Sequence, residues 1–244
     1  MFKENNFPWI IGILIIIIYG ASLFGGYVFD DRGILEHSFL LSSLNQLFEV
    51  FLYPYWTIEA GLYRPSTLLS YLFNNLIFGS QPWGFHLINL GLYFGICLLI
   101  FKLLKRLFKD YWLAFLTALF FLVFPIHTEV VANITGRSEL LALIFSLLTL
   151  LEVLREKPRI LLVFIFTFLS IGAKETGLAT LPLVFLVLVF DLKSIREVFR
   201  THWALLLASF SGILAYFLLR FLVLGPDYFL RVETSLIENP LMFA

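Results

Sequence analysis

Charge is the scarcest property of this sequence: 14% of its 244 residues are charged, and they balance to a formal net charge of zero. A polyanionic partner therefore has no electrostatic foothold, which excludes the nucleic-acid-binding class. A single cysteine, Cys97, excludes any disulfide within the chain. None of the four histidines stands four residues from another, so the helical zinc motif is missing. No internal repeat or low-complexity tract is found either. Apolar residues fill the composition instead, at 60% hydrophobic and 18% aromatic. A chain this small cannot bury so much apolar surface in a water-soluble core, so much of it must face lipid. Runs such as 9–24 and 85–101 approach the roughly 20 apolar residues that a spanning helix needs, and they do not alternate as barrel strands would. The expected fold class is all-α: a polytopic transmembrane helix bundle in a single domain over residues 1–244.

Seven spans are expected, over residues 9–26, 84–104, 111–125, 139–154, 160–173, 176–190 and 203–222. Lys3, a short apolar stretch and the small residues Gly20, Ala21 and Ser22 resemble a cleavable signal peptide. The apolar stretch continues through Leu23, Phe24 and Val28, however, which favours a retained anchor. Lysine and arginine favour the cytoplasmic side of short loops, and this sets the orientation. With the N-terminus inside, the inner segments gather Lys102, Lys105, Arg106 and Lys109, then Arg155, Lys157 and Arg159, then Lys193, Arg196 and Arg200. Counted with the acids, the inner side carries +5 and the outer side −5. This threading requires that residues 65–78 do not cross. That segment has only 14 residues, opens with Arg64 and Pro65, and carries Ser66, Ser70 and Asn74 along one helical face. An interfacial helix is expected there, and amphipathic spacing over 36–51 extends the expectation of interfacial helices across a long outer loop, 27–83.

Threaded in this way, the charged residues that belong to no basic loop collect on the outer side. Asp30 and Asp31 follow the first span, where one carboxylate could act as a general base or both could help hold a divalent cation. Solvated acids ending a membrane helix have the same appearance. Arg137, Ser138 and Glu139 open the fourth span, with Ser138 available as a cap, and Lys174 and Glu175 open the sixth. Arg64 starts the interfacial helix. Each is explained singly by capping or snorkelling, but three cationic helix starts on one side favour a phosphate-bearing ligand. His127 and Glu129 end the third span two residues apart, off a common helix face, so positioning an acceptor or a carboxylate suits them better than zinc. His86 and Asn89 lie within the second span, where polar groups bond across helices. The sequon Asn133-Ile134-Thr135 stands so close to a span that it is expected to be unmodified.

Phe29-Asp30-Asp31, Tyr63-Arg64-Pro65, residues 82–89, residues 125–129, Gly136-Arg137-Ser138-Glu139 and Lys174-Glu175-Thr176-Gly177 are similar, in order and spacing, to the membrane part of the transmembrane and tetratricopeptide-repeat O-mannosyltransferases. More distantly the chain resembles the wider GT-C group, including protein O-mannosyltransferases and the aminoarabinose transferase of lipid A. The resemblance implies a GT-C bundle that takes a mannose-like sugar from a polyprenyl-phosphate carrier and transfers it, with inversion, to a hydroxyl of a protein, glycan or lipid acceptor. It implies a site facing the periplasm or lumen, in a bacterial inner membrane or the endoplasmic reticulum. Asp30 or Asp31 corresponds to the catalytic acid, Arg64, Arg137 and Lys174 would receive the donor phosphate, and His127, Glu129, Glu139 and Glu175 would position the reactants. No repeat domain is present and the sequence stops at Ala244, so a fragment, a split protein with a larger subunit, or a degenerate member is expected. The rival classes are a noncatalytic membrane partner and a transporter, and the latter would place its polar groups near the midplane rather than at one rim.

Overall fold

The computed structural model describes residues 6–36, 43–56 and 61–225. Ten α-helices are found among these residues, and no strand. They are α1 (Phe7–Tyr19), α2 (Pro65–Phe78), α3 (Pro82–Phe108), α4 (Tyr111–Val123), α5 (His127–Ala132), α6 (Arg137–Val153), α7 (Ile160–Ala173), α8 (Thr180–Leu192), α9 (Ile195–Thr201) and α10 (Trp203–Leu224). Local chemistry sets several boundaries. Pro65 and Pro82 open α2 and α3 in the first turn, where the missing amide proton costs nothing. Gly79 ends α2 with φ 66°, a left-handed backbone that suits a residue without Cβ. The Asp110 carboxylate caps α4 by accepting from the Leu113 amide at 3.0 Å.

Contacts along the helices sort the bundle into two ends. At one end, Arg137 meets Asn89, the Tyr19 hydroxyl reaches the Leu122 carbonyl, and the Tyr216 hydroxyl reaches the Tyr63 carbonyl. At the other, the Phe7 and Phe101 rings stack at 4.1 Å and Arg106 donates to the Leu154 carbonyl. Hence α1, α4, α7 and α10 run towards the first end, here called the rim, while α3 and α6 run away from it. Most helices share one apolar interior, while α2 packs Leu68, Tyr71 and Leu72 into a separate cluster with Tyr55, Phe85 and Ile134. Phe7, Ile11, Ile15 and Tyr19, four residues apart, form the buried stripe of α1, while Trp9, Ile16 and Ile17 stay exposed. Hydroxyls join the later helices: Ser146 bonds Ser170 and Thr180 at 2.9 and 2.7 Å, and Thr167 bonds Ser209 at 3.2 Å.

The protein is therefore an all-α membrane-helix bundle, as expected. Among the described residues, four helical stretches are each long and apolar enough to cross a membrane: Phe7–Phe24, Pro82–Phe108, Glu175–Leu192 and Trp203–Leu224. Helices α4 and α7 are apolar but shorter.

Two local expectations need correction, and the helix over 65–78 gains a direction that its spacing left open. Ser138 is not a cap: Gly136 occupies that position, and the Ser138 hydroxyl donates back to the Thr135 carbonyl at 3.1 Å. The polar face of α2 points inward, since Ser66 and Asn74 are buried while Phe73, Leu76 and Ile77 are exposed. The polar groups serve the protein, and the apolar face is left for lipid. Within 36–51 the described residues form short 3₁₀ turns, Leu44–Gln46 and Glu49–Phe51, rather than a continuous helix; residues 37–42 lie outside the described residues.

Candidate active site at the rim

The two aspartates part company at a backbone turn. Phe29 adopts φ 44°, an uncommon left-handed conformation for a bulky residue. The chain then closes on itself: the Asp31 amide donates to the Val28 carbonyl at 3.0 Å, and the Val28 amide donates to Asp31 Oδ2 at 3.1 Å. Asp31 Oδ1 accepts from the Thr135 amide at 3.1 Å, so this fully buried carboxylate ties the first loop to the α5–α6 connection. Burial pushes the Asp31 carboxyl above its usual range, the two amides pull it back, and the neighbouring Asp30 charge raises it further. Asp30, by contrast, is exposed and lines a cavity. Both Asp31 oxygens accept from backbone amides, so Asp31 ties the loop together while Asp30 faces the cavity. Among the described residues no group of three or more His, Cys, Asp and Glu is placed to hold a metal ion.

That cavity, about 200 Å³, collects five of the nine expected site residues: Asp30, Arg64, Glu129, Glu139 and Lys174. Its cations are already paired. Arg64 donates through Nε and Nη2 to Glu175 Oε2, at 3.2 and 2.8 Å, and its guanidinium lies 5.2 Å from the Tyr55 ring centroid. Lys174 Nζ donates to Glu139 Oε1. Neither pair exhausts its cation, since an ammonium has three donors and Arg64 keeps Nη1. Glu175 thus stands behind Arg64, where it holds the guanidinium, and Glu139 holds Lys174.

Arg137 is placed elsewhere. It is fully buried and does not line the cavity. Nε donates to Asn89 Oδ1 at 2.8 Å, and Nη2 donates to Asn74 Oδ1 at 2.9 Å and to the Phe85 carbonyl at 2.7 Å. The Tyr71 and Phe85 rings lie 4.9 and 5.3 Å from the guanidinium carbon. A buried charge is costly unless its donors are matched; neutral oxygens satisfy Nε and Nη2, while among the described residues Nη1 has no hydrogen-bond partner and the guanidinium lies against two π-faces. Asn89 also donates to the Asn133 carbonyl at 2.9 Å, which is the cross-helix bonding expected of it. Its partner in that expectation, His86, is buried with neither ring nitrogen hydrogen-bonded.

His127 faces a second, mostly apolar cavity of about 300 Å³ between α4, α5, α6 and α8, lined by Phe121, Leu140, Leu143 and Leu183 among others. Its Nδ1 lies 2.8 Å from the Phe121 carbonyl and 3.0 Å from the Tyr93 hydroxyl. A carbonyl can only accept, so Nδ1 carries the proton and Nε2 of the neutral ring keeps a lone pair. Val130 and Glu139 line both cavities, which makes the apolar slot a direct neighbour of the polar one.

Sequence reasoning overlooked Tyr55, Trp56, Asn133 and Thr135 as parts of this site. Tyr55 and Trp56 line the polar cavity together with Asn133 and Thr135. The sequon's Thr135 hydroxyl donates to Asn133 Oδ1 at 2.9 Å, so the motif is internally bonded at the cavity wall. Their types carry no catalytic signature, and only the turn before the fourth span hinted at them.

No family model and no solved structure matches the chain. Curated proteins do. A Caenorhabditis elegans protein O-mannosyl-transferase is 30% identical over 239 residues, covering 94% of this chain and 33% of its own length. Mouse protein O-mannosyl-transferase TMTC3 is 31% identical over 70% of the chain, and human TMTC1 is 32% identical over 74%. The chain thus spans about a third or less of the length of these relatives. Over most of its own length, the chain is thus similar to part of proteins named as protein O-mannosyl-transferases, those of the TMTC type among them.

Proposed function

We propose that the chain is a membrane glycosyltransferase that moves a mannose-like sugar from a polyprenyl-phosphate donor to an acceptor hydroxyl at the rim. The observation that carries this reading is the contact between the two cavities: a polar one holding Asp30, Arg64 and Lys174 shares Glu139 and Val130 with an apolar slot between helices. A lipid phosphate needs both environments side by side. The prenyl chain enters the slot, and the phosphate rests against Lys174 and the free donor of Arg64. Asp30 takes the proton from the acceptor hydroxyl as its oxygen forms a bond to the anomeric carbon. The bond from that carbon to the phosphate oxygen breaks, the electron pair stays with the phosphate, and the sugar centre is inverted. Asp31 and Arg137 touch no reactant in this scheme; they hold the loops that carry Asp30 and the α6 start. In this reading the chain crosses seven times with its N-terminus in the cytoplasm, the rim faces the periplasm or lumen, and the acceptor is a protein, in line with the relatives' names.

Asp30→Asn, assayed for sugar release from a polyprenyl-phosphate-mannose donor, is expected to lose about a hundredfold or more in rate with an unchanged melting midpoint. Full activity in that variant removes Asp30 from the mechanism. The second reading is a noncatalytic membrane partner. Wild-type chain that is inert alone but co-purifies with a larger subunit supplying further spans favours it.

A further inference from the structure

At the end of the bundle opposite the rim, a cavity of about 500 Å³ is lined by Arg106, Leu151, Leu154, Arg155, Glu156 and Lys157. Its cations come from two places far apart in sequence, the last turn of α3 and the α6–α7 connection. Arg106 is held there by donating Nη2 to the Leu154 carbonyl at 3.1 Å, which leaves its other nitrogens available. The nearby acid Glu152 is not: it is buried, and it accepts from the Arg159 amide at 2.9 Å and from Arg159 Nε at 3.1 Å, with Arg155 3.6 Å away. Lys157 forms no hydrogen bond or ion pair among the described residues. Glu156 is the only acid in the lining. Beside this positive cup, Ile160 and Leu161 at the start of α7 are more than half exposed, an apolar flank where the bundle leaves the bilayer. A positive excess in an interhelical cup with an apolar flank matches a ligand that carries a phosphodiester on an acyl stem.

We infer that this cup binds the headgroup of an anionic phospholipid, at the face opposite the proposed sugar-transfer site. The phosphodiester sits among Arg106, Arg155 and Lys157, and the acyl chains lie along Ile160 and Leu161. The proposal is independent of the catalytic reading.

Native mass spectrometry of the full chain in neutral detergent tests it. Dioctanoyl phosphatidylglycerol should be retained in preference to dioctanoyl phosphatidylcholine. Arg106→Gln combined with Lys157→Gln should weaken phosphatidylglycerol retention about tenfold, with phosphatidylcholine unchanged. Arg155→Gln with Lys157→Gln, which keeps the Arg106–Leu154 bond, should do the same and covers the case in which the first pair does not fold. A control pair of equal charge on the α8–α9 side, Lys193→Gln with Arg196→Gln, should have little effect. Equal losses in the control pair reduce the effect to general attraction by basic loops and overturn the site. Competition by soluble glycerol phosphate as effective as the lipid's own overturns the lipid assignment in favour of a free phosphate.

Discussion

A buried guanidinium without a carboxylate is a demanding residue, and Arg137 meets most of the demand with two asparagines, one carbonyl and two rings, Nη1 alone lacking a hydrogen-bond partner among the described residues. Arg137→Met strips the donors from three oxygens at once and is expected to cost about 3 kcal/mol or more, visible as a lower melting midpoint in detergent. Arg137→Lys should not rescue it, because a single ammonium cannot reproduce a planar fork that spans two helices. Asp31 makes a different prediction. Its carboxyl is raised from the ordinary value of 3.8 by burial, so the folded state holds its proton more tightly than the unfolded chain. This contribution to stability is therefore full below the unfolded value and declines as pH rises through the folded one. Melting midpoints from pH 4 to 7 should carry a falling component that Asp31→Asn lacks. Identical pH profiles for the two proteins would contradict the assignment. The sequence named both aspartates but could not separate them, because the separation depends on the Phe29 turn and on an amide 104 residues away.

At the scale of elements, close backbone approach decides where the rim loops sit. A Cβ on Gly177 would stand 2.4 Å from the Ser170 carbonyl carbon, and one on Gly136 would stand 2.1 Å from the Val130 carbonyl oxygen. Backbone cannot step aside as a flexible side chain can. Gly177→Ala is expected to push the 3₁₀ turn Glu175–Ala179 off the end of α7, destabilising by about 1–3 kcal/mol. Because Lys174 precedes that turn and Glu175 opens it, transfer activity should fall further than stability does. Thermal melts alongside donor turnover separate the two effects. Helix α2 shows how far periodicity alone can be trusted. Its polar spacing was legible and so was its helical nature, but not the direction of the polar face, because Asn74 is drawn inward by an arginine 63 residues away.

For the whole molecule, the decisive quantity is which end of the bundle faces which compartment. Single cysteines placed at positions 30 and 157, in a background where buried Cys97 is replaced, should differ in access. A membrane-impermeant reagent added from the outside should label position 30 and not 157. Labelling of both from one side, in sealed vesicles, would remove the basis for a rim site across the bilayer from the basic loops.

The sequence by itself determined the class of protein, since an apolar excess of this size permits only helices that satisfy their own backbone in lipid. It also kept the charged residues to the ends of the helices, because charge is costly anywhere along a span. Only the tertiary structure decided what each of those charges does. Asp30 opens to a cavity while its neighbour is buried, Arg137 turns into the bundle, and Glu139 and Glu175 hold the cations beside them. The physical reason is that a side chain's role depends on the partner it meets, and most of those partners, among the described residues, come from distant parts of the chain.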